Sequence, residues 1–217
     1  MEPGSVDLIV WSEGGSVYPL NMPRKARRYR GASCEDVENP ADRLKELATR
    51  LQAEIIVGAS ALEIGVGPDG KRTRTAFNSV YHFTTDGKMS RYDKLVPLPF
   101  GEYIPLAEYL PWLRELVQGP GNFQAGTEAL VFKGNKANYG TPICYEAILP
   151  HVCRRFEGAD MLINGSLDTW FGDTAAPHQH AMLATARATE LGIPLFRNAY
   201  TGVSLVTEPH GRTYAAT

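Results

Sequence analysis

The chain has 217 residues, of which 43% are hydrophobic and 21% are charged, and its 22 Lys and Arg residues nearly balance its 24 Asp and Glu residues. This composition predicts a single globular domain over residues 1–217, long enough to bury a substantial core. The net charge of −2 argues against nucleic acid as the main partner, because phosphate binding requires a basic surface. No apolar run reaches the roughly 20 residues that a membrane-spanning helix needs.

The first half of the chain predicts strands with one helix between them. Continuous apolar runs indicate strands buried on both faces, apolar residues three and four positions apart indicate an amphipathic helix, and Asp86-Gly87 indicates a hairpin turn. The expected elements are a strand at 7–11, a helix at 41–51, a strand at 54–58, a hairpin of residues 77–83 and 89–93, and a proline-rich loop at 97–111. Residues 24–30 include five cations; we expect a solvated loop or helix face, with a patch for anionic headgroups as the alternative.

The second half continues the alternation of strands and helices. Good helix formers ahead of Gly192 predict a long helix, and the apolar run before Asn164 predicts a buried strand with Asn164 at its end. The expected elements are a strand beginning at 131 and another entering Cys144, a helix at 152–156, a strand at 159–164, a helix at 178–191, strands at 193–198 and 202–207, and a hairpin turn after residues 205–210 leading to one more strand. This order predicts an α/β layered fold with a mixed sheet.

The chain has three cysteines, Cys34, Cys144 and Cys153. An odd number excludes a complete disulfide framework, and no Cys-x-x-Cys or Cys/His spacing indicates zinc, so we expect no metal site. Cys144 opens the tripeptide Cys-Tyr-Glu after a short apolar stretch, whereas Cys153 is expected to be a packed thiol.

Three chemically distinct side chains follow apolar, strand-like runs. Glu13 ends the first run, Lys94 follows the hairpin, and Cys144 follows the stretch at 139–143. Sites in layered α/β proteins gather where strands end, so we expect these groups to meet. The thiol would attack a carbonyl, Glu13 would take its proton, and Lys94 would lower the thiol pKa and stabilise the oxyanion together with the backbone N–H after Cys144.

Further acids near these positions are candidates for supporting roles. Glu102 is expected to orient Lys94 or assist proton transfer. Tyr145 and Glu146 are expected to support the nucleophile without reacting themselves. A Glu or Lys after a strand is more often surface decoration, and a lone buried Cys is more often a small hydrophobe. The residues alone therefore leave open both a catalytic and a structural interpretation.

The same segments resemble the carbon–nitrogen hydrolase (nitrilase) superfamily, whose catalytic set is Glu–Lys–Cys. They are most similar to the apolipoprotein N-acyltransferase branch of Gram-negative bacteria. The shared motifs are Tyr92-Asp-Lys94, Phe100-Gly-Glu-Tyr-Ile-Pro105 and Ile143-Cys-Tyr-Glu146, and the likeness runs from residue 7 to residue 212. The chain departs from the family at Trp11-Ser-Glu13, where Trp-Pro-Glu is usual, and at residues 164–170.

The resemblance implies a four-layer αββα sandwich of the nitrilase type, incomplete at both ends. It implies an acyl thioester on Cys144, a phospholipid acyl donor, and the N-terminal amine of a diacylglyceryl-cysteine lipoprotein as acceptor, with no metal or organic cofactor. It also implies a parent protein in the cell inner membrane, held there by segments absent from this chain, with the catalytic domain facing the periplasm. Two alternatives remain open, namely a soluble amidase that uses the same Glu-Lys-Cys triad and a non-catalytic scaffold domain.

Overall fold

The structure is a computed structural model, and it describes residues 2–16, 18–22, 39–66, 70–107, 109, 112 and 122–216. The basic stretch at residues 24–30 and Cys34 lie outside the described residues. Within the described part, the chain forms two β-sheets with helices on their outer faces.

The first sheet has four strands in the order β1-β2-β3-β4, with β1 and β2 parallel and the other pairs antiparallel. Its strands are β1 (Leu8–Ser16), β2 (Glu54–Val66), β3 (Arg72–Phe83) and β4 (Met89–Asp93). Helix α1 (Pro40–Leu51) packs on this sheet; its first turn is capped by Asn39, whose side chain accepts a hydrogen bond from the backbone N–H of Ala41.

The second sheet has six strands in the order β10-β9-β8-β7-β6-β5, and only the pairs β6/β7 and β7/β8 are parallel. Its strands are β5 (Val131–Lys133), β6 (Asn138–Gly140), β7 (Met161–Ser166), β8 (Leu195–Ala199), β9 (Ser204–Thr207) and β10 (Thr213–Ala216). The helical segments are a 3-10 helix (Cys144–Ile148), α2 (Pro150–Cys153), a second 3-10 helix (Asp168–Phe171) and α3 (Ala176–Leu191).

The alternation of side chains along the strands separates the core into layers. On β2, Ile55 and Val57 face α1, whereas Ile56 faces the second sheet. The outer face of the second sheet is covered by α3, where Ala181, Ala184 and other small residues allow close approach. This arrangement is the predicted αββα sandwich, and the fold class is confirmed.

Several boundary predictions are wrong. The strand at 7–11 was expected to be buried on both faces, but β1 lies at the edge of the sheet that the described residues form, and Trp11 is 42% exposed. The helix expected at 152–156 runs instead from Pro150 to Cys153, because proline fits the first turn of a helix. Asn164 was expected at a strand end, but it lies inside β7.

Candidate active site

Cys144 begins a 3-10 helix directly after the extended segment that follows β6. Its φ of 48° lies in the left-handed region, which a residue with a side chain occupies only under strain. Asn164 fixes this turn, because its side-chain amide donates to the carbonyl oxygens of Pro142 (2.8 Å) and Cys144 (3.3 Å). The interior position of Asn164 in β7 therefore serves the turn that carries the thiol.

The Cys144 thiol is buried, with 8% of the residue exposed. Burial and the negative charge of Glu13 raise the pKa of the thiol to about 12, although the charge of Lys94 and hydrogen bonds from Ser166 and the Leu167 backbone act in the opposite direction. Lys94 lowers the thiol pKa, as expected, but burial and the charge of Glu13 outweigh this contribution. The thiol keeps its proton at neutral pH and requires a nearby base to act as a nucleophile.

Glu13 lies beside this thiol, at an irregularity in the pairing of β1 with β2. The backbone N–H of Leu167, which also contacts the thiol, donates to Oε2 of Glu13 at 2.9 Å. Glycines allow this close approach: a Cβ on Gly58 would lie 2.7 Å from Cα of Glu13, and one on Gly165 would lie 3.0 Å from its backbone nitrogen. Leu167 thus joins the carboxylate and the sulfur through a single backbone group.

Lys94 follows β4 and is 1% exposed. Its Nζ lies 2.8 Å from Oε2 of Glu102 and 3.9 Å from Oε1 of Glu13. Burial alone would lower the pKa of Lys94, but the neighbouring acidic groups of Glu13, Cys144 and Glu102 outweigh burial and raise it. Lys94 is therefore a fixed positive charge next to the thiol.

Asn78 connects the two carboxylates that flank this lysine. Its side-chain amide donates to Oε1 of Glu13 at 2.7 Å and also to Oε1 of Glu102. Its backbone carbonyl accepts a hydrogen bond from the backbone N–H of Lys94 at 2.9 Å. Glu102 also accepts from the backbone N–H of Leu98 at 2.6 Å, which holds the loop after Lys94 against the site.

Glu146 ties the nucleophile turn to the lysine segment. Its carboxylate accepts hydrogen bonds from the backbone N–H groups of Ile143 (2.8 Å) and Leu95 (2.6 Å) and from the Tyr92 hydroxyl (2.9 Å). Burial raises the pKa of Glu146 despite these donors and the charge of Lys94. Tyr145, the other expected supporting residue, is partly buried in the same 3-10 helix.

A buried ionic network lies behind the thiol, on the side that faces α3. Arg197 donates to Oδ1 of Asn164 at 2.6 Å and to Oδ2 of Asp168 at 2.6 Å, and Asp168 also contacts Nδ1 of His180 at 3.0 Å. Burial alone would raise the pKa of Asp168, but the hydrogen bond from His180 and the charge of Arg197 lower it. Ser166 links the network to the thiol, because its hydroxyl donates to Asp168 at 2.8 Å and also contacts Cys144.

A cleft of about 450 Å³ lies along the segment that follows Lys94 in the chain. It is lined by the segment after the lysine and by the loop that carries Glu102, including Leu95, Ile104 and Phe123.

Of the helices in the described part of the chain, none has the length and apolar character needed to cross a membrane. The same residues contain no group of three or more His, Cys, Asp or Glu side chains placed to hold a metal ion.

The structure brings Glu13, Lys94 and Cys144 to one end of the sandwich, with Glu102 and Glu146 beside them. The sequence interpretation did not include Asn78 or the backbone N–H of Leu167, and it did not include the ionic network. Asn78 could have been found as an amide within a strand otherwise rich in β-formers. The backbone N–H of Leu167 could not have been found in this way, because a backbone donor does not depend on the type of residue.

Comparison with protein families and curated proteins supports the resemblance. The profile of the Carbon-nitrogen hydrolase family matches residues 2–217. Two similar curated proteins are both named Apolipoprotein N-acyltransferase. One, from Geobacter metallireducens, is 33% identical over 211 residues, or 96% of this chain and 37% of that protein. The other, from Brucella melitensis biotype 1, is 35% identical over 212 residues, or 95% of this chain and 36% of that protein. The chain thus spans little more than a third of these relatives.

Solved structures share the fold at lower sequence identity. A CN-hydrolase superfamily protein from Xanthomonas campestris, with an arsenic adduct in its active site, matches with a TM-score of 0.64 and 20% identity over 99% of this chain and 75% of that chain. An amidase from Nesterenkonia sp. AN1 matches with a TM-score of 0.54 and 20% identity over 80% of this chain and 62% of that chain. That amidase is described with acrylamide added at its active-site cysteine. At these identities the likeness concerns the fold alone.

Proposed function

Because this chain belongs to the carbon–nitrogen hydrolase family, we propose that Cys144 is an acyl-accepting nucleophile served by Glu13 and Lys94. In the first half-reaction, Glu13 takes the thiol proton while the sulfur attacks an ester carbonyl. The developing oxyanion is stabilised by the ammonium of Lys94 and the backbone N–H of Tyr145. The intermediate then collapses to a thioester, and the departing alkoxide takes the proton from Glu13.

In the second half-reaction, a neutral amine attacks the thioester and Glu13 accepts a proton from the amine. The C–S bond breaks, an amide forms, and the thiolate recovers its proton from Glu13. Glu102 keeps Lys94 in place through their 2.8 Å contact, and Glu146 maintains the register between the lysine and the nucleophile turn. The buried site limits access of water, which would otherwise hydrolyse the thioester.

For the whole protein, we propose transfer of a fatty acyl chain from a phospholipid to the N-terminal amine of a diacylglyceryl-cysteine lipoprotein. The observation that carries this proposal is the convergence of Glu13, Lys94 and Cys144 in a chain whose curated relatives are named Apolipoprotein N-acyltransferase. Exposed apolar side chains in the segments that follow the strand ends near the site, including Phe100, Leu106 and Trp170, support a lipid donor. We further propose a cell inner membrane location with this domain on the periplasmic side.

The test uses the full-length protein, a phospholipid with a labelled acyl chain, and a peptide carrying diacylglyceryl-cysteine with a free amine. We expect label in amide linkage on the peptide, and we expect Cys144→Ala to abolish it. Release of labelled free fatty acid without peptide acylation would favour the hydrolase alternative. No turnover of either kind, with a thiol no more reactive than Cys153, would favour the scaffold alternative.

A further inference from the structure

Strands β2 and β3 extend beyond their neighbours as a two-stranded ribbon. The pairing of β1 with β2 ends at Ala59, and β4 pairs with β3 only from Ser79 onward. Residues 63–66 and 72–75 therefore pair only with each other within the described sheet, whereas Ala76, nearer the sandwich, also forms a bridge with Phe123. The ribbon leaves the sandwich at the end where Glu13 and Lys94 lie, because Glu13 is in the last part of β1 and Lys94 directly follows β4.

One face of this ribbon combines branched aliphatic and cationic side chains. Directly opposed residues on antiparallel strands share a face, and the register places Ile64 opposite Arg74 and Val66 opposite Arg72. Ile64 is 51% exposed and Val66 is 72% exposed, and both arginines are exposed. The other face, which carries residues 63, 65, 73 and 75, has no cationic residue among these four. Its one charged residue is Glu63, which forms an ion pair with Arg91 at 2.5 Å. We call the set Ile64, Val66, Arg72 and Arg74 the ribbon face.

The ribbon face is continuous with the wall of the candidate active site. Asn78 lies on the same face of β3, since it is separated from Arg74 by an even number of positions. At about 3.3 Å per residue, the four positions between them span about 13 Å. Asn78 donates to both Glu13 and Glu102, so the arginines lie farther out on the same face of β3 as the residue that contacts both carboxylates.

We propose that the ribbon face binds the phosphate groups of an anionic phospholipid surface and brings a donor ester to Cys144. Arginine matches phosphate oxygens through paired N–H donors, and branched aliphatic side chains can enter the boundary between headgroups and acyl chains. A phospholipid carries its phosphate and its ester carbonyls on the same glycerol. Along one face, the cations of the ribbon are exposed to solvent, and the candidate active site with its nucleophile lies nearer the sandwich. This inference rests on the proposed function, because it identifies where that function's lipid donor is held.

The test measures binding of the 217-residue chain to vesicles by co-sedimentation, comparing phosphatidylcholine alone with a mixture of phosphatidylcholine and phosphatidylglycerol. We expect the chain to prefer the anionic vesicles and R72Q/R74Q to weaken that binding about 30-fold, since each basic residue near an anionic surface contributes about a factor of five. The control is R154Q/R155Q, which removes the same charge from exposed positions after α2, beside the other sheet. A second variant, I64Q/V66Q, should weaken binding without changing its dependence on salt.

Equal binding by R72Q/R74Q and R154Q/R155Q would overturn the inference, as would equal binding to both kinds of vesicle. Cys144→Ala separates this result from the proposed function, because it should leave vesicle binding unchanged while abolishing acyl transfer. If the full-length protein transfers no acyl group but vesicle binding by the 217-residue chain still depends on Arg72 and Arg74, then the proposed function fails while the proposed lipid-binding surface is supported.

Discussion

Replacing Glu13 with Gln should have opposite effects on two reactions of the same sulfur. Glu13 would be the proton acceptor in acyl transfer, and its negative charge is also one of the causes that raise the pKa of the Cys144 thiol to about 12. Glutamine is close in size and can still accept the hydrogen bond from Leu167, but its amide cannot take a proton. Glu13→Gln should therefore slow acyl transfer and at the same time make the free thiol easier to ionise.

The expected size of the rate changes follows from the thiol pKa and from the usual contribution of a general base. With a pKa about five units above pH 7, only about one thiol in 10⁵ is ionised without assistance. General-base assistance is worth on the order of 10²- to 10⁴-fold, or about 3–5 kcal/mol of barrier, so Glu13→Gln should reduce the rate of Cys144 acylation by that factor. Alkylation by iodoacetamide, which requires only the thiolate, should become faster because the pKa of Cys144 falls.

Acylation is measured in the full-length protein by intact mass in a single turnover with phospholipid, and alkylation of this chain is measured by peptide mapping between pH 7 and 9. Cys153 is an internal control, because burial raises the pKa of its thiol to about 12 as well, while Glu13 is not among the causes. Its alkylation rate should not change. If acylation is unaffected, Glu13 is not the base, and if both rates at Cys144 fall together, the charge of Glu13 does not control ionisation of the free thiol.

Three further predictions concern stability. Arg197→Met removes the arginine partner of the buried Asp168 carboxylate and should lower the free energy of unfolding by about 3–5 kcal/mol in urea titrations, whereas a loss under 1 kcal/mol would contradict the network. Glu146→Gln places an amide against backbone donors and should cost about 2 kcal/mol or more; an unchanged unfolding midpoint in urea would show that the carboxylate does not join the two segments. Native Cys153 keeps its proton when the unfolded thiol ionises above about pH 9, so its stabilisation is lost as pH rises from 9 towards 12. Cys153→Ala should flatten the decline of the melting temperature in that window, and an unchanged slope would contradict the raised pKa.

The layers of the fold were predictable because each depends on a local pattern. The periodicity of residues 41–51 and the helix formers before Gly192 predicted α1 and α3, and the turn at Asp86-Gly87 predicted the hairpin of β3 and β4. The lengths of β2 and β3 were underestimated, because beyond residue 62 the strands leave the core and lose the continuous apolar character used to find them. The exposure of Trp11 depends on which strand lies at the edge, which is a property of the whole sheet.

The acidic, basic and thiol side chains of the site were predictable from residue type and from their places after apolar runs, although Glu13, expected at a strand end, lies inside β1. The hydrogen bonds that connect these side chains were not predictable, because they involve backbone groups, which every residue has. The backbone N–H of Leu167 and the carbonyl of Asn78 act only because distant segments meet. The raised pKa of Cys144 also follows from burial, which depends on how the whole chain packs around the thiol.

The most direct test of the central claim locates the acyl group. The full-length protein is incubated with phospholipid in the absence of an amine acceptor, digested, and mapped by mass spectrometry before and after treatment with hydroxylamine, which cleaves thioesters. The account predicts a single hydroxylamine-labile acyl group on Cys144 that is absent in Cys144→Ala. An acyl group on any other residue, or one that persists in Cys144→Ala, would contradict it.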